Sequence, residues 1–212
     1  MDERLTQLSV RRLVERLSTS DPVPGGGSAS AMAGAMGAAL VHMVIELTVD
    51  RPAADGHEGS LTAMRTAVAA WQSELLNLAE LDANAYDAVV RARRLPRESH
   101  RQREARAVQV AAALREATRI PLETARAASE VLELAFQLAP IGNRNAISDV
   151  GVAALLAVAA LRGAALNVEI NLPHITADEP LGHEAADEIQ RLLATIDDRE
   201  RMVRDAVAER LR

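Results

Sequence analysis

The stretch Asp149–Leu172, "DVGVAALLAVAALRGAALNVEINL", decides the fold. Its alanines and leucines favour a helix, and Asp149, Arg162 and Glu169 are its only charges. A helix apolar around most of its circumference has to be buried, either inside a bundle or at a subunit contact. Asn167 and Asn171 stand one helical turn apart near its end. Amides on so apolar a helix need partners, whether backbone, subunit or ligand.

Upstream, Leu5, Leu8, Leu13 and Leu17 recur at mostly helical spacing, which predicts a first helix over about 3–18, stopped by "STSDPVPGGG". A second helix is expected from Ser28 to about Val49, ending at the turn-rich "DRPAADGHEG". Leu61–Arg94 contains no proline or glycine and reads as one helix about 50 Å long. Two more follow, about 100–118 and 121–139, with Pro121 at a first-turn position or a kink. Ser148 and Asp149 stand where the next helix start needs acceptors, and an amphipathic helix over about 180–211 carries the stripe Ile189, Leu192, Leu193, Ile196, Val203 and Val207. No strand pattern, repeat or linker interrupts this series. The expected fold is all-α, one domain over 1–212, a bundle of long antiparallel helices, with a homodimer covering the most apolar one.

Composition narrows the chemistry. The 212 residues are 49% hydrophobic, enough for a core, yet Trp71, Tyr86 and Phe136 are the only aromatics. Small side chains and close helix approach must replace rings. There is no cysteine, which excludes disulfides, thiolate metal sites and a cysteine nucleophile, and fits a reducing, cytoplasmic compartment. All 24 basic residues are arginine, so lysine Schiff-base chemistry and a phosphate-loop lysine are excluded. A net charge of −6 and three aromatics argue against a nucleic-acid surface. Acids and arginines throughout the first twenty residues do not make a signal sequence, and Ala29–Ile45 is too short for a confident membrane span; no membrane partner is expected.

Three stretches can carry chemistry. Gly25, Gly26 and Gly27, before Ser28, let a ligand approach backbone N–H groups at a helix start, which suits a carboxylate, a phosphate or a developing oxyanion. A tight turn with close helix packing explains the same run. In "ELDANAYDAV", residues 80–89, Glu80, Asn84 and Asp87 share one side of a helix while Asp82 and Tyr86 share another, an acid beside a phenol. A solvated acidic face is the plainer reading. In "GNRNAISD", residues 142–149, Asn143, Asn145, Ser148 and Asp149 can cap a helix or read the donors and acceptors of a heterocycle. The five histidines have no metal-binding spacing, so neither a metal nor a cofactor is expected. No G-x-S-x-G elbow makes Ser28 a nucleophile.

Taken in order, P-G-G-G-S with its Ala/Gly helix, D-x-x-A-[FY], L-P, I-P-L, G-N-x-N-x-x-S-D and N-V-x-I-N resemble the cyclodeaminase/cyclohydrolase family across about residues 3–212. That family includes the C-terminal domain of formiminotransferase-cyclodeaminase and bacterial methenyltetrahydrofolate cyclohydrolases. The matched positions here are Pro24 to Ser28, Asp82 with Ala85 and Tyr86, Leu95 and Pro96, Pro121 and Leu122, Gly142, Asn143, Asn145, Ser148, Asp149, and Asn167, Val168, Ile170 and Asn171. The resemblance implies an all-α fold, a homodimer and a tetrahydrofolate substrate. Two positions depart from it: Asn84 stands where relatives often carry Glu, and His42 where a small polar residue is usual.

On that resemblance, Asp82 is expected to steady the cationic one-carbon unit and move the proton, with Tyr86 beside it. Asn143, Asn145 and Asp149 are expected at the pterin edge, and the Gly25–Ser28 backbone at a polar or anionic part of the substrate. Arg91, Arg94 and Arg97 are either contacts for the glutamate tail or a solvated helix end. Without a formiminotransferase domain in these residues, hydrolysis of 5,10-methenyltetrahydrofolate to 10-formyltetrahydrofolate is the first expectation. Ammonia-releasing cyclodeaminase action on formiminotetrahydrofolate is the second, and a non-catalytic folate-binding or helical scaffold the rival of another class.

Overall fold

The computed structural model describes residues 4–49, 56–175 and 179–212. Among these residues the chain forms α1 (Val10–Leu17), α2 (Gly26–Val49), α3 (Glu58–Arg93), α4 (His100–Leu138), α5 (Ile147–Asn171) and α6 (Pro180–Leu211), joined by short 3-10 turns and without a strand. The all-α expectation holds.

Boundaries moved for local reasons. The chain enters through a 3-10 turn at Leu5–Gln7, and α1 starts only after Ser9, whose hydroxyl accepts the Arg12 N–H at 3.2 Å. The expected break after Val49 falls largely on residues 50–55, outside the described residues. The largest correction is α4. Pro121 neither starts nor breaks a helix but lies inside one continuous helix of 39 residues. Its start is set by a capping box in which Ser99 and Gln102 satisfy each other's backbone N–H groups.

Helices α2 and α5 run antiparallel through the centre, flanked by α3 and α4, with α6 packed across α4 and α5. Their approach depends on small residues. A Cβ on Gly37 would lie 3.0 Å from the Ala153 carbonyl oxygen, and one on Gly34 would lie 3.3 Å from the Ala160 side chain. The register of these pairs fixes the antiparallel direction.

Along α5 the small side chains go in and several large ones stay out. Ala153, Ala154, Ala157, Ala160 and Ala164 are buried, while Val152, Leu155, Leu166 and Ile170 are exposed. Met36, Met43 and Leu47 of α2 are exposed as well. The two helices thus present a broad apolar face that the described residues do not cover. Both are long and apolar enough to cross a membrane by length and composition. Their alanine-lined inner faces instead form the middle of one continuous core.

Candidate active site

Gly26 and Gly27 belong to the first turn of α2, whose leading N–H groups have no partner within the helix. The partner comes from α3. Asp82 lies against Gly27 so closely that a Cβ there would be 2.2 Å from Oδ1 and 2.6 Å from Oδ2. Glycine is required here by that close approach.

Ser28 is fully buried, and its Oγ lies 2.9 Å from the Ala79 carbonyl oxygen and 3.0 Å from Asp82 Oδ2. One hydroxyl proton thus faces two acceptors. With Asp82 ionised, the proton serves the carboxylate; with Asp82 protonated, the acid donates to Oγ and the hydroxyl turns to Ala79. Both protonation states of Asp82 are therefore hydrogen-bonded without moving a heavy atom. Burial raises the Asp82 pKa above the ordinary carboxylate range, against the opposing pull of the Ser28 hydroxyl and the Ser28 backbone N–H. A carboxyl that keeps a hydrogen-bond partner both as acid and as base is suited to proton transfer.

Asp82 opens onto a cavity of about 310 Å³ between the α2 start, the C-terminal third of α3, α4 and the end of α5. Tyr86 and Arg93 line it from the same face of α3, at spacings of four and eleven residues from Asp82. Asn167, Asn171 and His174 line it from α5 and the turn that follows. The cavity therefore has a carboxyl, a row of glycine backbone, amides on one wall, a guanidinium and an imidazole.

The expected site residues divide into two groups. Gly25, Gly26, Gly27, Asp82 and Tyr86 come together around this cavity. Ser28 stands directly behind Asp82, with its side chain committed to Asp82 and Ala79. Asn143, Asn145 and Asp149 are not at this cavity. Asn143 donates its backbone N–H to Thr48 Oγ1 at 2.9 Å and its Nδ2 to the Leu47 carbonyl at 2.8 Å, and its Oδ1 accepts the Asn145 N–H. It closes the C-terminal end of α2, roughly 35 Å from the glycines that open the same helix. Asn145 is exposed and Asp149 half-buried near that far end. Asn143 alone serves helix termini; α5 starts after Ala146 with no side-chain cap, so Ser148 and Asp149 do not supply the acceptors expected there.

Asn84 also points elsewhere. With Glu80 and Asp87 it lines a groove of about 710 Å³ on the other side of α3, where Glu80 accepts the Thr6 N–H and hydroxyl. A carboxylate at position 84 would not pair with Asp82 in one pocket. Arg91, Arg94 and Arg97 do not line the Asp82 cavity; Arg93 does. Arg93 is a lining residue that the sequence reading misses, although helical spacing from Asp82 identifies it, while Asn167 and Asn171, the amides for which a backbone, subunit or ligand partner is expected, line the cavity as well. His174 sits on a turn whose position depends on where α5 ends. Among the described residues no group of three His, Asp or Glu side chains is arranged to hold a metal ion.

Residues 9–191 match the family model described as formiminotransferase-cyclodeaminase. A methenyltetrahydrofolate cyclohydrolase of Methylorubrum extorquens is 39% identical over 186 residues, covering 88% of this chain and 89% of the relative. A formimidoyltransferase-cyclodeaminase of Mus musculus is 33% identical over 177 residues, which are 84% of this chain but 33% of that longer protein. The crystal structure of formiminotetrahydrofolate cyclodeaminase from Thermotoga maritima superposes with a TM-score of 0.84 at 27% identity, covering 96% of this chain and 97% of that one. With its fold, its glycine-buttressed Asp82 and these relatives, the chain belongs to the formiminotransferase-cyclodeaminase family.

Proposed function

We propose that the protein hydrolyses 5,10-methenyltetrahydrofolate to 10-formyltetrahydrofolate. The observation that carries this reading is the half-buried Asp82 carboxyl on the cavity wall, hydrogen-bonded in either protonation state through the buried Ser28. The similarity to a bacterial cyclohydrolase over nearly the whole of both chains supports the choice of reaction.

The substrate carries a cationic carbon between N5 and N10. Asp82 as carboxylate stabilises that cation and accepts a proton from the attacking water, giving a neutral carbinolamine. Asp82 then returns the proton to N5 as the C–N5 bond breaks. The carbinol hydroxyl loses its proton to solvent while the formyl C=O forms, so one proton is released overall. Tyr86 packs beside the reacting carbon, and the Gly25–Gly27 backbone faces the polar part of the substrate. Arg93 and His174, at the same cavity, suit the carboxylates of the glutamate tail. Proton transfer by one carboxyl needs neither a metal nor an organic cofactor.

Cyclodeaminase action is the second reading, favoured by the likeness to the Thermotoga maritima enzyme. There N10 attacks the formimino carbon and ammonia leaves, again through a tetrahedral carbon beside a proton-shuttling group. The protein is further proposed to act as a cytoplasmic homodimer, with the uncovered α2 and α5 side chains at the contact.

The test is the loss of methenyltetrahydrofolate absorbance, measured against a buffer blank and the Asp82→Asn variant. Loss above blank that disappears in the variant supports the cyclohydrolase. Ammonia release from formiminotetrahydrofolate without that loss supports the cyclodeaminase, and silence with both substrates returns the scaffold reading.

A further inference from the structure

Pro121 sits in the interior of α4 and has no backbone N–H. The carbonyl of Ala117, one turn earlier, therefore loses its helical donor. Asn171, the last residue of α5, supplies the replacement: its Nδ2 donates to the Ala117 oxygen at 2.7 Å and to the Asn167 carbonyl oxygen at 2.9 Å. Both amide hydrogens are then in use.

This accounting fixes the side chain. A flipped amide would aim Oδ1 at two carbonyl oxygens, so only one orientation is possible. The remaining group, Oδ1, receives no hydrogen bond among the described residues, and it is not sealed from solvent. Ala117, Asn167 and Asn171 all line the Asp82 cavity. Asn167 repeats the pattern by donating Nδ2 to the Gly163 carbonyl at 2.8 Å, and its own Oδ1 has no donor among the described residues. The proline defect in one helix thus turns an amide on another into a rigid acceptor on the wall of the Asp82 cavity.

We propose that Asn171, held by the carbonyl that Pro121 leaves free, is a substrate-recognition residue, its Oδ1 accepting from an N–H edge of the reduced pterin ring. Rings with such donors are retained, and rings without them cover this acceptor and leave it unpaired, which is how a site gains selectivity. The inference rests on the folate reading above. Asn167 Oδ1, one turn away, supplies a second acceptor on the same wall.

The experiment measures the dissociation constant of 5-formyltetrahydrofolate for the full chain and two variants. Asn171→Leu keeps the volume and removes the acceptor; the expected loss of affinity is roughly tenfold or more. Pro121→Ala leaves Asn171 in place but restores an N–H that competes for the Ala117 carbonyl. It is expected to weaken binding about threefold to tenfold, with the helical circular dichroism unchanged. A residue that only ties α5 to α4 does not produce that second effect. Wild-type binding that stays within twofold in both variants overturns the inference. No binding by the wild-type protein overturns the folate reading itself, a separate result.

Discussion

Gly27 and Asp82 are in contact across two helices: the carboxylate occupies the space that any other residue at 27 would fill with its Cβ, 2.2 Å from Oδ1. The short glycine run and the acid on α3 are therefore one structural unit. Gly27→Ala must push Asp82 off the α2 start. The expected result is a loss of kcat of a hundredfold or more, since a misplaced acid/base group forfeits about that much. Overpacking adds a destabilisation of about 1–3 kcal/mol. Steady-state kinetics and thermal unfolding check both, and an unchanged kcat in a folded variant contradicts the contact.

Asp82 also links activity to stability. Its pKa is raised in the folded protein, so the folded state holds this proton more tightly than the unfolded chain does. Its contribution to stability is fully present below the unfolded carboxylate pKa and is lost as pH rises through the raised folded value. Asp82→Asn, which cannot ionise, is expected to abolish turnover yet be more stable than wild type at neutral pH. The difference should close under acid conditions. Denaturant unfolding at several pH values measures it, and a variant less stable at pH 7 has the wrong sign.

Ser28→Ala removes a hydrogen bond that favours the ionised carboxylate, so the Asp82 pKa rises further. The acidic limb of the kcat/KM profile is expected to move to higher pH. A serine serving only to pack α2 against α3 would change the height of the profile and leave its limb in place.

Asn84→Glu tests which side of α3 carries the chemistry. Residue 84 faces the groove with Glu80 and Asp87, away from the Asp82 cavity. The variant should keep kcat/KM within about twofold, as surface changes away from a site do. A tenfold gain would instead mean that a second carboxylate joins Asp82.

The apolar face of α2 and α5 predicts an assembly. Leu155 is 58% exposed at its centre. Leu155→Asp should leave the helical circular dichroism intact and halve the mass found by light scattering. A wild-type monomer of unchanged solubility contradicts the dimer.

Much of this protein was legible along the chain. Alanine- and leucine-rich runs without strand alternation specify long helices, because propensity and the 3.6-residue period act locally. Helical spacing alone places Tyr86 and Arg93 on the side of Asp82 and sends Asn84 to another. The lack of cysteine and lysine limits the chemistry to carboxyl, hydroxyl, amide, imidazole and guanidinium groups. Tertiary structure decided what depends on partners far apart in sequence. Pro121 stays inside α4 because Asn171, fifty residues later, takes the carbonyl it orphans. Asn143 and Asn145 have side chains fit for a heterocycle, but Thr48 and Leu47 draw Asn143 to the far end of α2. Gly27 must be glycine because an acid from another helix rests on it. Local rules set which segments are helices; packing between helices sets which polar atoms are left free to meet a substrate.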